Sequence, residues 1–191
     1  MLNTIVESER AKYAELWSDV PDYRVHSPGQ ENVARFMEIM QPSPDETLLD
    51  IGCGTGVAGL EFKQLGMNVS WLDITDAGLL PDVPHARFIN APLWTRWDRH
   101  WKHGFDYGFC CDVMEHIPTE YSMLVIDRIV STCRTTWFQI TLVPDQFGAT
   151  IGQPLHLTVR PFGWWLERLK ATGTVVDARD LCEQALFIVE K

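Results

Sequence analysis

The stretch Leu48-Leu-Asp-Ile-Gly-Cys-Gly-Thr-Gly-Val-Ala-Gly-Leu60 constrains the fold more than any other part of the chain. An apolar run with strand character meets an acid at Asp50, and glycine then stands at every second position, Gly52, Gly54 and Gly56. Small residues follow at the start of a helical pattern. Glycine lets the backbone adopt φ > 0 and pass close beneath a ligand. A strand that turns straight into a helix belongs to a parallel sheet, and such sheets bind ligands in the crevice at the carboxyl ends of their strands. The segment therefore predicts an α/β protein with a nucleoside-type site immediately after Ile51.

The rest of the chain supports that architecture. Strands are expected at Thr47–Ile51, Val69–Asp73, Ala86–Asn90, Phe105–Cys111 and Thr136–Leu142, with helices at Val57–Leu65, Thr119–Cys133 and Pro161–Ala171. In the second of these helices, Met123, Leu124, Ile126, Ile129 and Val130 recur at helical spacing. Thr174–Ala178 and Gln184–Val189 are joined by a connection too short for a parallel crossover, so they form an antiparallel pair. Alternation of strands and helices predicts a doubly wound, mostly parallel seven-stranded sheet closed by that hairpin. Amphipathic stretches at 4–18 and 28–40 form an N-terminal helical cap. The whole chain is thus read as one domain, 1–41 the cap and 42–191 the cofactor-binding core.

The 191 residues carry a net charge of −10, which disfavours a broad grip on nucleic-acid phosphates. A small local basic patch is still compatible with that charge, and Arg87, Arg96, Arg99 and Lys102 are the best candidate for one. No apolar run approaches the roughly 20 residues of a membrane span, and the N-terminus lacks an apolar signal core. The five cysteines are odd in number and include no C-x-x-C pair, so neither a fully paired disulfide framework nor a zinc site is expected. A cytoplasmic protein acting on a small molecule is the expectation; oligomeric state is left open. Trp94, Trp97 and Trp101 lie at helical spacing and are read first as core.

Glycine spacing leaves two cofactor classes open. Gly54-Thr-Gly-Val-Ala-Gly59 matches the dinucleotide fingerprint in form. Against it stands Asp50, a carboxylate that repels a pyrophosphate and suits an ammonium group. Asp73 ends the second strand 23 residues after Asp50, near the offset at which an acid meets ribose hydroxyls.

The loop Asp50-Ile-Gly-Cys-Gly-Thr-Gly56 resembles the first motif of class I S-adenosylmethionine-dependent methyltransferases, (D/E)xGxGxG. Phe105–Pro118, with Asp112-Val-Met-Glu-His-Ile-Pro at its end, is similar to their fourth-strand signature. The resemblance implies S-adenosylmethionine as cofactor, held by Asp50, Gly52, Cys53, Gly54, Gly56, Asp73 and Ile74, with Asp112 and Val113 beside its methionine portion or adenine. The family's acid after the third strand is missing here, and Asn90 or the Leu93 backbone is left to meet the adenine. Arg24 is placed to pair with the cofactor's carboxylate. Glu115 and His116 face the acceptor, His116 as a general base with a pH limb near neutrality. His156, in the loop after the fifth strand, is the alternative base. Asp112, Glu115 and His116 also resemble the magnesium set of some quinone-biosynthesis O-methyltransferases. Adjacent Glu and His point apart on a regular helix, so no metal is expected. The implied reaction is methyl transfer to oxygen or nitrogen of a small acceptor. A catalytically idle nucleoside-binding scaffold and a nicotinamide-dependent oxidoreductase are the rival readings.

Overall fold

The computed structural model describes residues 2–25, 27–97 and 104–191, and side chains from residue 4 onward within them. Helices α1 (Leu2–Asp19), α2 (Pro21–Val25) and α3 (Pro28–Met40) precede β1 (Thr47–Ile51), α4 (Val57–Gln64), β2 (Asn68–Asp73) and β3 (Phe88–Asn90). Then come β4 (Phe105–Cys111), α5 (Ser122–Thr132), β5 (Cys133–Thr141), α6 (Phe162–Lys170), β6 (Thr174–Asp180) and β7 (Gln184–Glu190). The seven strands form one sheet in the order β3-β2-β1-β4-β5-β7-β6. All neighbours are parallel except β5 with β7 and β6 with β7. The doubly wound sheet and its closing hairpin are as expected from the sequence.

Alternation along the strands sends side chains to two separate cores, because successive residues point to opposite faces. Leu49, Ile51, Phe138, Phe187 and Val189 pack with Val125, Ile126 and Ile129 of α5 and Trp165 and Leu169 of α6. Leu48, Trp71, Phe109, Trp137 and Ile188 pack with Val33 and Phe36 of α3 and Ala58 and Phe62 of α4. Phe36 meets Phe62 at 4.9 Å and Phe109 at 5.5 Å between ring centroids, and each such pair adds about 0.5–1.5 kcal/mol beyond area burial. These contacts seat the N-terminal segment on the sheet.

Several boundaries differ from the sequence reading. Residues His85–Arg87 form a 3₁₀ turn, so β3 keeps only three residues. Thr119–Tyr121 is likewise a 3₁₀ turn, and α5 begins at Ser122. A hydroxyl explains the late start: Ser122 Oγ donates to the Thr119 carbonyl at 2.8 Å. Strand β5 begins at Cys133, directly after α5 ends. Trp94 and Trp97 are buried, as their core reading required; Trp101, Arg99 and Lys102 lie outside the described residues. No helix among the described residues is long and apolar enough to cross a membrane.

Candidate active site

Strand order reverses between β1 and β4, and a parallel sheet opens a crevice at that point. A cavity holding about 1040 Å³ of open space, its mouth included, sits there. Its floor is the turn after β1 and the turn after β4, and its roof is α1 and α2.

The glycine turn is fixed by its own hydrogen bonds. Gly52 and Cys53 N–H donate to the Leu72 carbonyl at 2.8 and 3.1 Å, and Gly56 N–H donates to the Cys53 carbonyl at 2.7 Å. Gly54 N–H donates to Asp73 Oδ2 at 2.8 Å. At Gly52, φ is +67° and an added Cβ would stand 2.5 Å from Val113, so neither the backbone nor the packing admits a side chain. This contact also ties the β1 turn to the β4 turn.

Asp50 is buried, and its Oδ2 accepts Gly59 N–H at 3.0 Å, one of the free amides in the first turn of α4. The carboxylate therefore occupies the helix N-terminal position that a pyrophosphate takes in dinucleotide folds. Burial pushes its pKa from 3.8 to about 7 against the pull of that hydrogen bond, with Asp73 adding to the rise. Asp73 also accepts Thr75 N–H at 3.2 Å; burial raises it to about 6 despite these amide bonds. It caps a turn, not a helix. Two carboxylates held this close to neutrality make the pocket receptive to a cation and to hydroxyl donors.

The turn after β4 explains how Glu115 and His116, neighbours in sequence, serve different surroundings. Asp112 takes φ +58°, a left-handed conformation that Asp tolerates better than most residues, and accepts the Thr141 hydroxyl. Met114–His116 is a 3₁₀ turn, not a regular helix. Glu115 is fully buried; its Oε1 accepts Thr141 N–H at 2.9 Å. Burial and the neighbouring Asp112 push the Glu115 carboxyl well above the usual range, which favours its neutral form. Asp112 ends below the usual range: burial opposes its charge, but hydrogen bonds from Glu115 and Thr141 and the nearby His116 outweigh it.

His116 lines the cavity, and its Nδ1 lies 2.8 Å from the Tyr13 hydroxyl. Burial lowers its pKa to about 4, with Asp112 working in the other direction. This corrects the expected limb near neutrality: the ring is desolvated under α1, and one carboxylate does not compensate. His156 stands behind it, ring centroids 4.7 Å apart and planes at 86°. Its Nδ1 lies 2.6 Å from the Val143 carbonyl, which can only accept, so Nδ1 carries the hydrogen. The Glu115 carbonyl accepts Leu157 and Thr158 N–H at 2.8 Å each, fixing the loop that carries His156.

Of the other expected contacts, Cys53, Ile74, Leu93, Asp112 and Val113 line the cavity. Gly56 starts α4 beneath it. Arg24 does not line it: Nε donates to the Trp17 carbonyl at 2.7 Å and a terminal nitrogen to the Ala77 carbonyl at 2.9 Å. Its guanidinium is spent on pinning α2. Asn90 is exposed at the end of the short edge strand β3 and stands outside the wall. Glu115 and His156 are one layer back. Glu115, His116 and His156 each bring a ligand-type atom within 4.8 Å of the others, a different set from the Asp112, Glu115 and His116 considered from the sequence. The sequence reading missed Glu9, Tyr13 and Trp17 of α1, which form the roof. Their i, i+4, i+8 spacing places them on one helix face and was the available signal.

No protein-family model matches the chain. Among curated proteins, it is 26% identical over 95 residues to a ubiquinone biosynthesis O-methyltransferase of Hydrogenovibrio crunogenus, covering 47% of this chain and 39% of that protein. It is 30% identical over 120 residues to ribosomal RNA large subunit methyltransferase G of a Shewanella species, covering 57% of this chain and 29% of that one. The chain thus spans well under half the length of either relative. In fold it is similar to Burkholderia thailandensis 1,6-didemethyltoxoflavin-N1-methyltransferase, crystallised with that substrate and S-adenosylhomocysteine. The TM-score is 0.71 at 14% identity, over 99% of this chain and 89% of that one. Magnesium protoporphyrin IX methyltransferase of Synechocystis, with bound S-adenosylmethionine, aligns at TM-score 0.66 and 15% identity, over 95% and 96%.

The chain has the Rossmann-like fold of these S-adenosylmethionine-dependent methyltransferases. In that fold, the β1 turn, Asp73 and the β4 turn stand where the ligand crevice is brought together, and the roof of aromatic residues from α1 and α2 is contributed by this chain's own N-terminal segment.

Proposed function

We propose that this protein transfers a methyl group from S-adenosylmethionine to an oxygen or nitrogen of a small acceptor. The observation that carries the choice of cofactor is the state of the glycine turn. Four of its N–H groups are already taken, and Asp50 caps α4. Such a turn leaves a pyrophosphate fewer amides to bind, whereas the carboxylates of Asp50 and Asp73 suit an ammonium and a ribose diol. In this reading Asp73 with Ile74 holds the ribose, and Asp50 faces the amino group. The backbone of Gly52, Cys53 and Gly54 forms the floor, and Leu93, Asp112 and Val113 form the wall beside the adenine.

S-adenosylmethionine, when bound, supplies a methyl group already activated by a positively charged sulfur. The protein's tasks are therefore to align the acceptor and to take its proton. His116, neutral above about pH 4, receives that proton; Asp112 stabilises the resulting imidazolium, and Glu115 and His156 hold the ring's surroundings. Tyr13, Trp17 and Tyr23 roof the acceptor side and exclude water. A small acceptor is favoured over RNA by this roof and by the net charge of −10, although one relative acts on ribosomal RNA by name. The test is tritiated S-adenosylmethionine supplied with either the dialysable fraction of a cell extract or ribosomal RNA. Label in a dialysable product is expected; label in RNA alone would overturn the small-acceptor reading.

A further inference from the structure

The Tyr13 hydroxyl belongs to α1, a helix far from the family motifs, yet it lies at hydrogen-bond distance from the His116 ring, 2.8 Å from Nδ1. Tyr13 and His116 both line the cavity, while Glu115 and His156, which neighbour the other parts of the His116 ring, do not. Tyr13 thus reaches His116 from the cavity lining. Helix α1 is held there by several ties. Arg10 Nε donates to the Ile74 carbonyl at 2.9 Å, and Lys12 Nζ to the Pro154 carbonyl at 3.3 Å. Trp17 fills the space left by Gly54 and Gly78, where an added Cβ would stand 3.1 and 2.5 Å from its ring.

We infer that Tyr13 is a catalytic residue, the group that meets the acceptor and passes its proton on to His116 Nδ1. This rests on the methyltransferase reading above. The transfer balances as follows. The acceptor's O–H bond breaks and its proton goes to the Tyr13 oxygen, while the Tyr13 proton goes to His116 Nδ1. The electron pair of the acceptor's bond stays on the acceptor oxygen, free to take the methyl group. One proton has left the acceptor and resides on an imidazolium beside the Asp112 carboxylate; Tyr13 is again a neutral phenol. Such a relay needs a phenol that keeps its proton at rest and an imidazole with a bare Nδ1. Burial favours a protonated phenol and a neutral imidazole, raising Tyr13 well above its ordinary value and lowering His116 to about 4. The relay requires the hydrogen of that neutral ring to sit on Nε2.

The tautomer makes the inference testable without knowing the natural acceptor. Full-length protein labelled with ¹⁵N-histidine and saturated with S-adenosylhomocysteine is examined by long-range ¹H–¹⁵N NMR at neutral pH, with His116→Ala identifying the resonances. His116 should show a bare Nδ1 and a protonated Nε2, and Tyr13→Phe should shift the ring toward the other tautomer. S-adenosylhomocysteine affinity by calorimetry should stay unchanged in Tyr13→Phe. With catechol as acceptor probe, kcat of that variant should fall about 100-fold, the size of a lost proton-transfer group, with KM for S-adenosylmethionine unchanged. A protonated Nδ1 in the wild type, or a tautomer indifferent to Tyr13→Phe, overturns the relay. Failure of S-adenosylhomocysteine to bind at all would instead overturn the methyltransferase reading, and the His116 tautomer would still decide the Tyr13 hydrogen bond.

Discussion

Replacing Asp73 by Asn should separate stability from cofactor affinity. The carboxylate accepts Gly54 and Thr75 N–H at 2.8 and 3.2 Å, yet burial still raises its pKa from 3.8 to about 6. A folded-state value above the unfolded one means that the folded protein holds this proton more tightly. The group's contribution to stability is then fully present below about pH 4 and lost as pH rises through about 6. The displacement corresponds to about 3 kcal/mol at neutral pH, and partial exposure of Asp73 reduces it by roughly half. Asn keeps one acceptor but turns an amide donor toward the other N–H, a loss of about 1 kcal/mol. The two terms nearly cancel, so the variant's unfolding free energy at pH 7 should lie within about 1 kcal/mol of the wild type's. The gain in stability on acidification toward pH 4 should shrink. Affinity should behave otherwise: an ionised acceptor holding ribose hydroxyls contributes about 1.5–3 kcal/mol, hence a loss of about 10- to 150-fold for S-adenosylhomocysteine. Urea unfolding between pH 4 and 8, with calorimetry at pH 7.5, reads both quantities. Wild-type affinity in the variant would refute the ribose role. Loss of stability in step with affinity would make Asp73 only a brace for the glycine turn.

Three further outcomes follow from the site. The pH profile of kcat should be flat through neutrality and fall only as pH drops toward about 4, where His116 gains its proton. By contrast kcat/KM for S-adenosylmethionine should rise between about 6 and 7 as Asp73 and Asp50 ionise; this limb should persist in His116→Ala, and in Asp50→Asn only its lower part, near 6, should remain. Glu115→Gln should leave unfolding free energy at pH 7 within about 1 kcal/mol of the wild type, since burial favours the neutral form of this carboxyl; a loss several times larger would show it to be ionised. Chelation should leave S-adenosylhomocysteine affinity unchanged by calorimetry. Loss of methyl transfer with EDTA, restored by a divalent ion, would instead assign an ion to Glu115, His116 and His156.

What the sequence made legible, and what it hid, divides along a physical line. Strand alternation, the glycine turn and the closing hairpin are local or period-2 signals, and the sheet follows from them with boundaries off by a few residues. The floor of the site was legible for the same reason: Asp50, Asp73 and Asp112 each close a strand that the pattern marks. Its roof was not. Glu9, Tyr13 and Trp17 reach the cavity only because α1 folds back over the carboxyl ends of β1 and β4, a long-range packing choice with no local motif. Arg24 misled because a cation near a carboxylate-bearing cofactor invites pairing, whereas here the Trp17 and Ala77 carbonyls take its donors. The pKa of His116 was misjudged for a related reason, since desolvation is set by what covers a residue and not by its sequence neighbours.

The central claim is that the carboxylates of Asp50 and Asp73, at a glycine turn with four of its amides already bonded, select a cationic nucleoside over a dinucleotide. Calorimetry of the purified full-length chain with S-adenosylmethionine, S-adenosylhomocysteine, NAD and NADP tests it most directly. Saturable binding of the first two and none of the last two is the predicted result. Saturable NAD or NADP binding without S-adenosylhomocysteine binding would contradict the account.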